Sequence, residues 1–339
     1  MALFIALAIP IVPAVAVAAA ATATEEPVTQ AVSGSKAYDS PGPGEFDDYA
    51  DTCPAPDEVP TEEELEALVA RGRDLFTSPD AFGQQASQGP TVAGEALSCA
   101  DCHTGDARTD GRTHIVGPTE HRPSVPRQTP HLLRIGDAAP YGWDGRFPCL
   151  QAAIKNAIVS PLEMNAADEP AQYGLDALAA FVATLDVPDA VPGVDYDPEL
   201  AAWGERLFAQ YRGVDIGGDF NPFDGVACVH CHVDPDGTDR EFHPILLPPP
   251  LLPVGGLDPG HIDDQGRVRG FKTPVLRGTR FTAPYFHDGS MGIPGQGESL
   301  GREATIAALL EMMAAYRARF FFDFTPEEEL AIVHYLLSQ

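Results

Sequence analysis

Two five-residue stretches decide how this chain folds: Cys99-Ala100-Asp101-Cys102-His103 and Cys228-Val229-His230-Cys231-His232. Cys-x-x-Cys-His is the attachment signature of c-type haem. One helical turn brings both thiols beneath the two vinyl groups of a porphyrin, and the next residue turns its imidazole toward the iron. Structural zinc, the natural rival, asks for four ligands in closed geometry, with a second pair at matching distance. A thioredoxin-like redox pair asks for a βαβ setting and no histidine. With only six cysteines in 339 residues, two chance matches in one chain are very improbable. Two covalently bound haem c groups are therefore expected, with His103 and His232 on the irons.

Working outward, a similar helix precedes each motif. Arg71-Gly72-Arg73-Asp74-Leu75-Phe76 ends 23 residues before Cys99, and Trp203-Gly204-Glu205-Arg206-Leu207-Phe208 ends 20 before Cys228. Thr61 with Glu64 makes a capping box for the first helix, whose apolar face includes Leu65, Leu68, Val69 and Phe76. A further helix closes each half. The first is Gln172 to Leu185, with Leu175, Leu178, Phe181 and Val182 on one face; the second is Pro326 to Leu337, with Leu330, Val333, His334 and Leu337. No strand pattern of any length alternates. Helix, motif, long loops and closing helix, repeated, predict a mostly α protein of two c-type cytochrome domains in tandem, each with one covalent haem. These domains are expected over 61–190 and 196–339, with the joint in the proline-rich run Val187–Pro198.

Apolar residues make up 44% of the chain and charged residues 21%, enough to bury a core. Fifty Asp and Glu stand against 21 Lys and Arg, a formal charge of −29. That balance argues against nucleic acid and anionic membranes, which would repel it, and favours partners with basic faces. The 33 prolines and 32 glycines predict long loops. Residues 2–20 are an apolar run followed by Ala21-Thr22-Ala23, which reads as an export signal over 1–23 and a periplasmic or otherwise exported protein. No Lys or Arg precedes that run, so a retained anchor is the alternative reading. Residues 24–60, rich in Glu, Pro, Gly, Ser and Asp, read as a flexible linker. Cys53 and Cys149 remain: they pair in an oxidising compartment and pin this linker to the first domain, or they stay two buried thiols.

Beyond the haem motifs, the chain resembles the bacterial di-haem cytochrome c peroxidases and their MauG-type relatives over residues 62–339. Tyr141-Gly142-Trp143-Asp144-Gly145-Arg146 resembles the family's Trp-Asp-Gly-Arg motif, and Glu163-Met164, beginning 20 residues after Trp143, resembles its Glu-Met pair. Phe271-Lys272-Thr273-Pro274-Val275-Leu276-Arg277 and Thr282-Ala283-Pro284-Tyr285-Phe286-His287-Asp288-Gly289 resemble its second-domain signature. The resemblance implies reduction of hydrogen peroxide to water. Electrons from a small soluble cytochrome or cupredoxin would enter at the C-terminal haem and pass to the N-terminal one. His103 would then be proximal ligand of the peroxidatic haem and His232 of the transfer haem.

The same resemblance makes Glu163 the distal acid/base, since cleaving O–O requires a proton moved from one oxygen to the other. Taken by itself, Glu163 is a solvated carboxylate at a helix start after Pro161. Trp143 would relay electrons between the haems; otherwise it is core packing. Asp144-Gly145-Arg146 reads as a turn holding Trp143, with Arg146 also able to pair a haem propionate. Thr305 to Met313 resembles the helix bearing the sixth ligand of the second haem. Its register puts the iron-binding thioether on Met313, with Tyr316 one turn on as the alternative, because MauG-type members carry tyrosine there. His121 is the expected loop ligand of the resting first haem and His114 the second choice. His287 is expected to contact the haem surroundings, and His230 has no ligand role. A calcium ion between the domains would take oxygen from Gln128, where the family usually has asparagine, and from Thr282 and Pro284. Two other functions stay open: a MauG-type oxidase that modifies a partner protein, and a non-enzymatic electron carrier. A homodimer is open too.

Overall fold

The computed structural model of the protein describes residues 60–79, 97–105, 109–116, 125–136, 138–159, 170–214, 225–233, 236–243, 261–262, 268–292 and 301–339, with Cys53, Ala81 and Phe82. The export signal expected over 1–23, the linker apart from Cys53 and Pro60, and the site residues Glu163 and His121 lie outside the described residues. In the N-terminal half, helix α1 (Glu62–Thr77) is followed by the single turn α2 (Cys99–Cys102). The hairpin β1 (Thr113–Val116) and β2 (Val125–Gln128) comes next, then α3 (Leu150–Val159) and α4 (Gln172–Ala183). The C-terminal half runs α5 (Pro198–Phe208), a 3-10 turn at Cys228–His230, then β3 (Phe242–His243), β4 (His261–Ile262) and β5 (Val268–Lys272). A second 3-10 turn (Thr279–Phe281), α6 (Arg302–Phe320) and α7 (Pro326–Leu337) complete it.

Local chemistry sets the helix boundaries. Thr61 N–H donates to the Glu64 carboxylate at 2.9 Å while Glu64 N–H donates back to Thr61 Oγ1 at 3.4 Å, the capping box expected there. Thr325 and Glu328 repeat it at α7, with Pro326 in the first turn, where a missing N–H costs nothing. Helix α4 stops at Ala183, two residues short of the expected Leu185, because Thr184 Oγ1 donates to Phe181 O and turns the chain.

Each half builds its own core on a crossed helix pair. Helices α1 and α4 bury Leu75, Phe76, Leu175, Leu178 and Phe181; α5 and α7, with α6, bury Leu207, Phe208, Leu309, Ile332 and Leu336. Glycine permits both crossings. A Cβ on Gly72 would stand 2.0 Å from Ala177 O, and one on Gly204 would stand 2.0 Å from Ala331 O. The backbones therefore meet with no side chain between them.

The strands are a difference from the expectation. β1 and β2 pair antiparallel with Thr113 opposite Gln128, and β5 lies between β3 and β4 with Phe242 opposite Lys272. At two to five residues each, they are too short for a period-two pattern to register. A disulfide joins Cys53 to Cys149, with Cα atoms 5.7 Å apart, so of the two readings the paired one holds. Among the described residues no helix is long and apolar enough to cross a membrane.

Candidate haem pockets and their junction

Ser98 opens the first motif: its N–H and hydroxyl both donate to Asp101 Oδ2, at 2.7 and 2.8 Å, and His103 N–H closes the turn on Cys99 O at 2.9 Å. In the second motif His232 N–H donates to Cys228 O at 3.0 Å. Both turns thus set two thiols one turn apart with the histidine leaving the end. The His232 Nδ1 bonds Gly237 O at 2.8 Å, so Nε2 is the nitrogen left for a metal. Burial lowers the pKa of His232, against the opposing pull of the Gly237 carbonyl, which favours the neutral imidazole a metal needs. Phe76 tilts against His103 with centroids 6.5 Å apart, and Phe208 does the same to His232 at 6.2 Å. His230 accepts from Ala227 N–H and packs edge-on to Tyr211.

The thiols themselves test the fit. All four motif cysteines are free of disulfides. Burial pushes both Cys99 and Cys228 up to about 12, so they are protonated thiols in apolar surroundings. These residues fit thioether attachment of haem.

A second repeat follows each motif. Thr109-Asp110 and His114 stand in the same spacing after His103 as Thr238-Asp239 and His243 after His232. Thr109 Oγ1 donates to Thr129 O and Thr238 Oγ1 to Thr273 O, both at 2.7 Å. His114 Nε2 lies 3.0 Å from Asp110 Oδ2, and His243 Nε2 lies 2.8 Å from Asp239 Oδ2. Burial pushes both carboxyls up, yet the paired imidazoles and the amides of Arg112 and Glu241 carry them net below the ordinary aspartate range. Cys102 and Cys231 come within 4.8 Å of these pairs. The carboxylates are already committed to imidazole and backbone, so each group braces the loop behind its haem motif. His114, the second choice for a resting ligand, is held in such a brace.

The two halves meet at β2 and β5, and they meet reciprocally. Gln128 N–H donates to His287 O at 2.8 Å, while Lys272 N–H donates to Trp143 O at 3.1 Å. The Gln128 side chain donates Nε2–H to Thr282 O at 2.8 Å, and Lys272 donates Nζ–H to Ala138 O at 2.6 Å. Trp143 Nε1–H donates to Gln128 O at 3.1 Å. The turns that receive these bonds match in backbone: Tyr141 bridges Phe147 as Tyr285 bridges Met291, and Gly145 and Gly289 have φ of 62° and 66°. Their side chains differ. Asp144, 1% exposed, takes the Arg146 guanidinium bidentately, with Nε to Oδ1 at 2.9 Å, which makes Arg146 a brace of the tryptophan turn. Asp288 has only Ser290 in the matching place, whose N–H it accepts at 3.1 Å. His287, the counterpart of Trp143, stacks on Phe271 at 3.8 Å.

Of the calcium donors expected at Gln128, Thr282 and Pro284, two are bonded to each other. One methylene longer than asparagine, Gln128 reaches Thr282 O directly and presents its N–H there, where a hard cation requires oxygen. On α6, Met313 is buried in the C-terminal core, 4% exposed. Tyr316, one turn on, has its phenol pushed up by burial and, less strongly, by the Cys231 and Cys228 thiols. Three features escaped the sequence reading. The Thr-Asp-x-x-x-His repeat was there to be found by spacing. The Lys272 ammonium, which burial and then Arg240 bring down to about 8, depends on tertiary register. So does His131, whose buried Nδ1 has no partner and whose pKa falls to about 4 through burial, then His103 and Lys272.

The sequence profile of the family described as di-haem cytochrome c peroxidase matches residues 67–186. The methylamine utilization protein MauG of Methylorubrum extorquens is 28% identical, across 68% of this chain and 74% of that protein. The cytochrome c551 peroxidase of Nitrosomonas europaea is 26% identical, across 61% of this chain and 67% of that one. Two solved structures share the fold. A MauG-like protein associated with microbial copper homeostasis has a TM-score of 0.52 at 21% identity, covering 84% of this chain and 90% of its own. A Kuenenia stuttgartiensis hydrazine synthase chain has a TM-score of 0.55 at 17% identity, covering 96% and 99%.

Proposed function

Because the chain belongs to the di-haem cytochrome c peroxidase and MauG family and is an oxidoreductase of the peroxidase type, we propose that it reduces hydrogen peroxide with electrons from a small soluble redox protein. The balance is H2O2 + 2e⁻ + 2H⁺ → 2H2O. Haem c, when bound, would supply the single-electron chemistry that peroxide reduction needs. Cys99, Cys102 and His103 would hold one such group, and Cys228, Cys231 and His232 the other. In this reading each half is a haem domain and electrons enter on the C-terminal side. Trp143 would stand between them: its carbonyl is bonded to β5 of the C-terminal half and its indole to β2 of the N-terminal half. Glu163 would take a proton from one peroxide oxygen and return it to the departing one.

The observation that carries this reading is the pair of matching Cys-x-x-Cys-His turns, in two halves that meet where Trp143 O accepts from Lys272 N–H. Its test is peroxide turnover by purified holoprotein with an artificial donor, alongside the intact mass. Added mass for two haems and turnover that Glu163→Gln lowers ~100-fold or more are expected. A holoprotein without turnover, or Glu163→Gln matching the parent, refutes it.

One observation favours a second reading, a MauG-type oxidase acting on a partner protein: Tyr316, partly buried on α6, packs against the same C-terminal core as Cys228 of the second motif. Absorption and paramagnetic spectra separate the two. If Met313→Ala abolishes a low-spin histidine–methionine signature, the peroxidase reading stands; if Tyr316→Phe changes the second haem and Met313→Ala does not, the oxidase reading replaces it.

A further inference from the structure

We infer that Gln128 and Lys272 are reciprocal positioning residues that close the junction between the halves as a built-in clamp, in place of a bound divalent cation. The two residues hold the same register, each at the end of its strand and each followed by Thr-Pro. Each makes the same pair of bonds to the opposite half. The backbone N–H goes to Trp143 O or His287 O, and the side chain goes to the carbonyl five residues earlier, Ala138 O or Thr282 O. Each strand end therefore brackets one turn between two donors. A buried carbonyl left without a donor is costly, so long side chains with N–H groups at both positions satisfy an obligatory demand. A metal at the Gln128 side would need the amide reversed and Thr282 O vacated. At the Lys272 side the cation is part of the chain, an ammonium on the Ala138 carbonyl.

The clamp bears on chemistry through Trp143. Gln128 O anchors the indole and Gln128 N–H holds the opposing His287 turn, while Lys272 holds the tryptophan carbonyl. This consequence rests on the proposed function, in which electrons cross between the pockets there; the metal independence does not.

Calcium titration calorimetry on chelator-dialysed holoprotein, paired with thermal unfolding with and without the ion, is the deciding measurement. No saturable binding and an unchanged midpoint are expected. Saturable binding that raises the midpoint of the parent protein, and that Gln128→Met abolishes, overturns the inference. Gln128→Met and Lys272→Met are each expected to slow pocket-to-pocket electron transfer several-fold, with calcium restoring neither. Only Lys272→Met removes a charge, so it alone is expected to lower the midpoint potentials of the irons, and Lys272→Arg to restore them; unchanged potentials in Lys272→Met would remove the ammonium from the proposal. Where a methionine variant fails to fold, Gln128→Glu serves, because a carboxylate has no N–H for Thr282 O. That protein is expected to lose stability and to gain a calcium response, and one as stable as the parent without calcium overturns the clamp. Loss of peroxide turnover in the parent would end the functional proposal and leave the calorimetry standing.

Discussion

Trp143 is held at two points, its Nε1–H on Gln128 O and its carbonyl on Lys272 N–H. Trp143→Phe keeps an aromatic ring and deletes only the first bond, so a loss of about 1 kcal/mol in unfolding free energy is expected. Stopped-flow reoxidation by peroxide should show slower transfer between the pockets, with both attachment sites intact by mass. The braces Asp110–His114 and Asp239–His243 carry a pH prediction. Both aspartates titrate below their ordinary range when folded. The stability they lend is therefore complete above the unfolded value of about 4 and is lost as pH falls through the lower folded value. Thermal unfolding from pH 6 downward should show this acid loss, and Asp110→Asn with Asp239→Asn should flatten it. At this scale the sequence was most legible where function needs a fixed spacing, as in the two Cys-x-x-Cys-His runs. It was least legible where a side chain's partner lies in the other half. Lys272 could be read as part of a signature, but nothing in its neighbours says that Ala138 O awaits it.

Among the elements, the helices were readable because capping and apolar periodicity are local. Thr61 and Glu64 mark the start of α1, and Pro326 marks that of α7, as expected. The strands were not, because β2 and β5 are made by pairing and carry no periodic pattern of their own. The crossings depend on two glycines. Gly72→Ala and Gly204→Ala each force a methyl against a carbonyl 2.0 Å away, which should cost ~3 kcal/mol or more, beyond ordinary overpacking. Thermal unfolding of each holoprotein checks it. Since Phe208 rides on α5 beside His232, Gly204→Ala should also disturb the spectrum of a haem held by the second motif, as proposed above, more than that of one held by the first.

Over the whole molecule, covalent and electrostatic constraints dominate. The Cys53–Cys149 bond spans 96 residues of sequence, and opening a loop of that length should lower stability by about 3–5 kcal/mol. Denaturant unfolding of the Cys53→Ser, Cys149→Ser double variant measures this. The formal charge of −29 implies self-repulsion, so added salt should raise the unfolding temperature while slowing encounter with a basic electron donor. An uncharged donor whose rate ignores salt would contradict nothing; a basic one whose rate rises with salt would. The reciprocal bonds at the junction also fix when the molecule becomes whole during its synthesis. The first turn emerges with Ala138 and Trp143 holding out carbonyls to a strand that has yet to be made, and the loan is returned only when Lys272 arrives. A chain cut short before that strand leaves the first half incomplete, so proteolytic surveillance in the cell meets either a finished protein or one with an obvious seam.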